Sequence, residues 1–185
     1  MKKREKKALQ PLDAVRYRRR RLRDKADIRS FFLRLIFLTL FVYVLFFRVF
    51  GLSMVPDDDM KPKLSGGDLV LFYRLQKDYK FGDVIVFRKD SERYVSRVIA
   101  VSGDTVQVTQ EGAVIVNGNT LIEDNIFYAT KPYESGIEFP LTLGQDELFV
   151  LSDYREGARD SRYFGAVKLS EAEGQVMAAI RRSNL

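Results

Sequence analysis

The 185-residue chain contains no cysteine and no histidine. Without cysteine it forms no disulfide, and without either residue type it cannot build a zinc site from the usual Cys and His ligands. A catalytic triad that depends on histidine is excluded for the same reason. These absences do not indicate a cellular compartment, because surface proteins without disulfides are common.

Positive charge is concentrated at the N-terminus. Residues 1–29 carry 13 Lys and Arg against 4 Asp and Glu, and the rest of the chain carries 18 against 21. A basic arm of this kind, here with the run Arg18–Arg21, binds either nucleic acid or anionic lipid headgroups. We predict lipid as its partner and no nucleic acid, because an apolar segment follows at once. The arm itself is predicted to be solvated and partly disordered.

The apolar segment covers residues 30–52 and contains half of the phenylalanines of the chain. Its uninterrupted part, Leu35–Phe47, is shorter than the roughly 20 residues that cross a bilayer. Arg34 and Arg48 bracket that part and can extend their charges toward the headgroups. A cleavable signal peptide is the alternative, but no small-residue cleavage site follows. We predict a single anchor in the plasma membrane, with a cytoplasmic N-terminus and residues 53–185 outside the cell.

Residues 53–185 are predicted to form one mainly β domain. Apolar and alternating runs predict strands at residues 69–73, 83–87, 94–101, 105–108, 113–116 and 147–151. Asn117-Gly118 predicts a hairpin with a type I′ turn. Gly-Asp recurs before three strands, and we interpret it as turn chemistry, with Gly at positive φ and Asp bonded to local amides. A long surface loop is predicted at residues 124–140, and the tail, 171–182, is either a short helix or a last strand.

The loop from Val55 to Asp68 reads V-P-D-D-D-M-K-P-K-L-S-G-G-D. It resembles the nucleophile loop of the type I signal peptidases (peptidase S26), membrane serine proteases whose loop reads roughly V-x-G-x-S-M-x-P-T-L-x-x-G-D. Asp59 then stands at the nucleophile position. A second register places Ser53 there, since Ser53-Met54-Val55-Pro56 also spells S-M-x-P, but the next Gly-Asp then comes about six residues too late.

Four further segments are similar to signal peptidase motifs, in the same order. They are Gly82–Phe87, Tyr94–Asp104, Val114–Gly118, and Leu151–Arg155 followed by Arg159–Gly165. The resemblance implies the fold of that family, a single N-terminal transmembrane helix followed by a coiled antiparallel β-sheet domain that rests on the outer face of the membrane.

The resemblance also implies the site. In this family a serine attacks the scissile carbonyl, a desolvated neutral lysine takes its proton, and a second serine orients that lysine. The lysine position is Ser96 here and the second serine position is Ala158. Asp160 and Arg162 match a structural acid and base of the family. No catalytic residue is therefore predicted to be intact, unless Ser53 serves as an alternative nucleophile.

Three substitutes for the missing chemistry are weak. A proton-sharing pair of Asp59 with Asp58 or Asp160 is disfavoured, because neighbouring residues of an extended segment point opposite ways and Asp160 is expected to pair with a basic neighbour. Lys61 and Lys63 are expected to be solvated and charged. Three consecutive aspartates lack the alternating ligand spacing of a calcium loop. We predict no metal and no cofactor.

The function that the resemblance implies is that of the signal-peptidase-like proteins of Gram-positive bacteria that assist assembly of sortase-built pili without catalysis. The expected partner is then an extended peptide, a pilin or a secreted preprotein. A sortase is a further candidate partner. An active signal peptidase and a pure scaffold with an irrelevant cleft are the alternatives. The predicted peptide or partner cleft consists of Asp59, Met60, Pro62, Ser96, Arg97, Asp160 and Arg162.

Overall fold

The computed structural model describes residues 11–124 and 126–182, and these fall into two compact units, one extending to Leu45 and one beginning at Phe46. The described part of the first unit is helix α1, Pro11–Val44, and a π-helical turn, Leu45–Val49, follows it. Residues 12–44 contain neither Gly nor Pro, and Pro11 suits the first position of a helix. Within the described residues, Asp24–Val49 is the one helical stretch long and apolar enough to cross a membrane, judged by length and composition alone.

The second unit is mainly β, as predicted. Its strands are β1 Phe50–Met54, β2 Leu69–Tyr73, β3 Val84–Lys89, β4 Glu92–Ala100, β5 Thr105–Val108, β6 Val114–Val116, β7 Asn119–Thr120, β8 Leu141–Thr142, β9 Glu147–Leu151, β10 Val167–Lys168 and β11 Ala172–Ile180. A short helix, α2, covers Ser161–Phe164. All pairings are antiparallel, and the strand orders are β1-β2-β11-β3-β4-β9-β10 in a seven-stranded sheet and β7-β6-β5-β8 in a four-stranded one.

The predicted turn chemistry is confirmed. Gly67, Gly82 and Gly103 have φ near +90°, and each is followed by an aspartate whose side chain accepts the amide three residues before it, at 2.8–3.0 Å. Asn117 and Gly118 both have positive φ and join β6 to β7 in a two-residue hairpin, as predicted. The segment 126–140 contains no helix or strand among its described residues, in agreement with the predicted loop.

Two features of the N-terminal third were not predicted. Residues 11–29 of the basic arm belong to helix α1, while residues 1–10 lie outside the described part of the chain. The apolar run also ends earlier than residue 52, because Phe50–Met54 forms strand β1 on the edge of the large sheet. Gly51 permits this pairing, since a side chain there would overlap the ring of Phe72 on β2.

The undecided tail is a strand. β11 lies between β2 and β3 in the middle of the large sheet, with two interruptions of its register. One falls at Gly174, where a Cβ would collide with the carbonyl of Tyr73. Three apolar clusters form the core of the domain, and the one that matters for the site contains the buried residues Val55, Met60, Leu64, Val70, Phe72, Val86 and Val95.

Candidate functional site

The loop between β1 and β2 carries the predicted nucleophile position. Its two ends are joined by backbone hydrogen bonds from Val55 N to Asp68 O (2.8 Å) and from Gly67 N to Val55 O (2.9 Å). Met60 and Leu64 are buried in the core beneath β2, β3 and β4. These buried apolar side chains fasten the loop to the sheet, and Asp59, immediately before Met60, remains partly exposed.

Asp59 is bonded to the segment that follows β9. Its carbonyl accepts the amide of Tyr154 (2.8 Å), and its carboxylate Oδ2 accepts the amide of Arg159 (3.2 Å). Its own amide donates to Asp57 Oδ1 (3.1 Å). Asp59, at the predicted nucleophile position, is therefore bonded to the segment that contains Ala158, at the predicted position of the second serine.

The electrostatic setting of Asp59 is unlike that of an activated nucleophile. Burial, and next the negative charge of Asp57, raise the pKa of the Asp59 carboxyl above its ordinary value of 3.8, against a smaller opposite effect of the Arg159 amide. A carboxyl must be ionised to attack, and both of these effects oppose its ionisation.

Ser96 lies near the middle of β4 and is only 1% exposed. Side chains alternate along a strand, so Ser96 shares a face with Tyr94 and Val98, both of which are in the core. One step beyond the last β4–β9 pair, Arg97 with Leu151, the register sets Ser96 opposite Ser152.

Ala158 is completely buried, and the short segment around it links the other two positions. Its carbonyl accepts the hydroxyl of Tyr133 (2.7 Å). The next residue, Arg159, bonds to Asp59 through its amide and lies with its guanidinium 6.0 Å from the ring centroid of Tyr94, on the same face of β4 as Ser96. Arg159 thus links the Asp59 loop to the face of β4 that carries Ser96, although the three predicted positions are 37 and 62 residues apart in sequence.

Asp160 and Arg162 form a buried ion pair, as the sequence suggested for Asp160. Asp160 Oδ2 is 2.8 Å from Arg162 Nη2 and also accepts the amide of Ser152 (3.2 Å), while Oδ1 accepts Arg162 Nε (2.9 Å). Both side chains are out of contact with solvent. Asp160 is therefore committed to Arg162 and to the loop backbone, and is not free to share a proton with Asp59.

Arg97, another predicted cleft residue, is also tied down. Its guanidinium is bidentate to Asp153 at 2.6 and 2.7 Å and donates to the carbonyl of Gly82 (2.8 Å). Of the seven predicted cleft residues, four have buried side chains and shape the site from beneath: Met60, Ser96, Asp160 and Arg162. Asp59 and Arg97 are partly exposed and Pro62 is exposed, so these three can meet a ligand directly.

Neither the second register nor the loop lysines supply a working pair. Ser53 lies in β1, buried, and its Oγ accepts a hydrogen bond from Arg93 Nη1 (3.3 Å), a group that cannot remove its proton. Lys61 is exposed and pairs with Asp58 at 2.7 Å, and Lys63 is exposed. A solvated, charged lysine is not the desolvated base that the reaction requires. The three consecutive aspartates also diverge, because Asp58 turns to Lys61 and the amide of Gly66.

The open edge of β4 was not predicted from the sequence. The N–H and C=O groups of Val98 are hydrogen-bonded to the turn before β3. Every second residue of β4, counted from Val98, therefore directs its backbone groups toward β3. Arg93, Val95 and Arg97 face the opposite way, and of these Arg97 is paired with Leu151 at the end of β9. Arg93 and Val95 lie in register with β3, but on the side away from β3 their N–H and C=O groups meet no strand in the described part of the chain. Only the point where β9 ends reveals this edge, and a sequence does not specify it.

The comparison with known families agrees with this geometry. The family described as signal peptidase, peptidase S26, matches residues 28–180. The chain therefore belongs to the S26 signal peptidase family.

The individual relatives described next are 28–31% identical to this chain. A probable signal peptidase I-2 of Synechocystis is 31% identical over 133 residues, which cover 65% of this chain and 58% of the relative, less than two thirds of its length. A Staphylococcus aureus protein named inactive signal peptidase IA is 28% identical over 149 residues, covering 73% of this chain and 82% of the relative. A solved structure of a signal peptidase I from Enterococcus faecalis is 29% identical, with a TM-score of 0.45. The match covers 54% of this chain and 97% of the solved one.

Proposed function

We propose that this protein is a catalytically inactive relative of signal peptidase I that binds extended polypeptide in the former cleft. The observation that carries the proposal is that the supporting residues of the site are retained, while the residues at the catalytic positions are replaced. Asp59 and Ser96 occupy the nucleophile and base positions, while the Asp160–Arg162 ion pair and the anchored loop remain. A single carboxylate is a poor nucleophile toward an amide, and a serine hydroxyl cannot serve as its base.

Binding does not need the lost groups. The open edge of β4 offers the N–H and C=O groups of Arg93 and Val95 to an added strand, and the Asp59 loop lies beside it. A peptide that adds to a sheet edge is held by main-chain hydrogen bonds, with alternate side chains in contact with the protein. We propose that the bound segment belongs to a pilin or another secreted preprotein, and that the protein acts as a chaperone or assembly factor, alone or with a sortase.

An active peptidase is the second candidate, and the names of most relatives favour it, since they are called signal peptidase I. The relative named inactive signal peptidase IA supports the first candidate instead. The two candidates differ in whether the purified protein cleaves a preprotein.

Binding by strand addition predicts an alternating response to backbone methylation. The probes are fluorescein-labelled twelve-residue peptides that span the signal-peptide junctions of preproteins, measured by fluorescence anisotropy against the full chain in detergent. N-methylation of one alternate set of residues in the best-binding peptide should weaken it about 10- to 100-fold, because about one to three hydrogen bonds of about 1 kcal/mol are lost.

The matched control is the same peptide methylated at the intervening residues, whose amides point away from β4 and whose affinity should change less than about threefold. Equal loss in both methylated peptides, or no binding by any peptide of the panel, would contradict strand addition.

We also propose that helix α1 anchors the protein in the plasma membrane with the N-terminus in the cytoplasm. The excess of Lys and Arg on one side of the apolar helix supports this orientation. Because the chain has no cysteine, single introduced ones can be labelled uniquely. A membrane-impermeant maleimide should label Ile122→Cys, at a side chain that is 84% exposed in the β domain, on intact cells.

Two further cysteines complete this test. Lys3→Cys, in the basic arm, should react only after the cells are permeabilised. Met54→Cys tests whether the β domain rests on lipid, because Leu52 and Met54 on β1 and Ile180 on β11 are exposed apolar residues on the two strands that flank β2. It should be protected until detergent is added. Labelling of Lys3→Cys on intact cells would overturn the orientation.

A further inference from the structure

Arg159 is a charged side chain that the lost catalytic chemistry does not use, although it stands in the middle of the site. Its amide is bonded to the Asp59 carboxylate, and its guanidinium reaches the start of β4, where Nη1 is 3.0 Å from Glu92 Oε2. It therefore spans from the Asp59 loop to the strand whose edge is open.

The backbone of Arg159 is fixed on both sides. Before it, the carbonyl of Ala158 is bonded to Tyr133, and after it comes Asp160 with its buried ion pair. The guanidinium itself lies over the ring of Tyr163, 5.1 Å from the centroid, a geometry that favours a cation. Half of the side chain remains exposed to solvent. The cation is thus held in place but accessible.

Glu92, its partner, is held less firmly. It is the first residue of β4, follows two residues with positive φ, and its side chain is 61% exposed. Its Oε2 accepts hydrogen bonds from two donors, Arg159 Nη1 and the hydroxyl of Tyr94 (2.7 Å). Two donors that converge on one carboxylate oxygen make a recognition site for a carboxylate, and an ion pair this exposed adds little stability and exchanges readily.

We propose that Arg159 and Tyr94 form a carboxylate-recognition site at the end of the open β4 edge, and that Glu92 occupies it in place of an acidic side chain of the bound polypeptide. This inference rests on the proposed function and narrows it to extended segments that carry Asp or Glu at one position near their end. A strand added along Arg93 and Val95 ends beside this site, so its acidic residue displaces Glu92. Arg159 is then a specificity-determining residue, not a catalytic one.

The test compares peptide pairs that differ in one side chain. A best-binding peptide from the fluorescein-labelled panel is resynthesised with Glu, and separately with Gln, at each position in turn, and binding to the full chain in detergent is measured by anisotropy. We expect one terminal position at which Glu binds about 5- to 20-fold more tightly than Gln, the range of a charge-assisted hydrogen bond in a partly exposed site. Elsewhere the two should be equal.

Three variants identify the groups responsible. Arg159→Gln should abolish the preference for Glu at that position, and Arg159→Lys should retain part of it. Glu92→Gln should strengthen binding of the Glu peptide alone, by up to about fivefold, because the internal competitor loses its charge. Equal melting temperatures of the variants verify that each one is folded.

The outcomes separate the two levels of the proposal. If peptides bind but Glu and Gln are equal at every position, or if the preference survives in Arg159→Gln, this inference is overturned and strand addition stands. If no peptide of the panel binds, the proposed function fails and this inference fails with it.

Discussion

The wild-type protein, purified in detergent, is expected to leave a preprotein uncut, whereas the double variant Asp59→Ser with Ser96→Lys is expected to cut it. Loss of the nucleophile and base of a serine protease lowers the turnover rate on the order of 10⁶-fold, so the wild-type reaction should be undetectable. The measurement is the appearance of mature protein on a gel over several hours, with an established signal peptidase as the positive control.

The geometry supports a gain of activity in the double variant. A serine at residue 59 inherits a loop fixed through Tyr154, Arg159 and the buried Met60. The lysine of Ser96→Lys is attached at a backbone position whose native side chain is only 1% exposed, so its amine is desolvated. The nearby Arg159 cation also disfavours the charged form of this lysine. Both effects lower its pKa, which is what a base requires.

Single variants provide the matched controls. Asp59→Ser alone has no base, and Ser96→Lys alone keeps a carboxylate that would pair with the lysine and hold it charged, so both should be inactive. Adding Ala158→Ser to the double variant should raise activity further, because it returns the hydroxyl that orients the lysine. Cleavage by the wild type that is abolished by Ser53→Ala would overturn the inactive assignment, and cleavage abolished by Asp59→Ala would do so as well. Inactivity of all variants would indicate a remodelled cleft.

Local chemistry explains why much of the domain was predictable. The three Gly-Asp turns and the Asn117-Gly118 hairpin depend on backbone conformations that few residues adopt, so the sequence marks them directly. Strands such as β2 and β5 coincide with their predicted bounds, because β2 is a short apolar run before polar residues and β5 alternates polar with apolar residues. The limits of the helix were less predictable, since Phe50 and Leu52 are as apolar as the membrane segment, and only pairing with β2 makes them a strand.

The site divides in the same way. The motif frame was enough to propose Asp59, Ser96 and Ala158. The structure bonds Asp59 to Arg159, the residue after Ala158, and buries Ser96 in β4. The accessible surface was not predictable, because it depends on where β9 stops and on how Arg159 crosses to Glu92, 67 residues away. Most of the predicted cleft residues are buried supports, since a motif records residues that shape a site as well as residues that touch a ligand.

The buried pair Asp160–Arg162 is expected to be the most sensitive point of the fold. Asp160→Ala leaves the Arg162 guanidinium buried without its counter-charge and removes the acceptor for the amide of Ser152. Removing one partner of a buried ion pair typically costs about 3–5 kcal/mol of unfolding free energy. That is a large part of the stability of a domain of this size, about 5–15 kcal/mol. Urea unfolding followed by circular dichroism in detergent measures it.

Two matched variants separate charge from contact. Asp160→Asn keeps an oxygen that can accept the Ser152 amide but removes the charge, so its unfolding midpoint should lie between those of wild type and Asp160→Ala. Lys61→Gln breaks the exposed pair with Asp58 and should not move the midpoint measurably. A midpoint for Asp160→Ala that equals the wild-type value would mean that this segment does not support the fold. The hydrogen bonds of Asp160 would then not be what fixes the backbone of Arg159, to which Asp59 is bonded, and the positions of both residues would need another explanation.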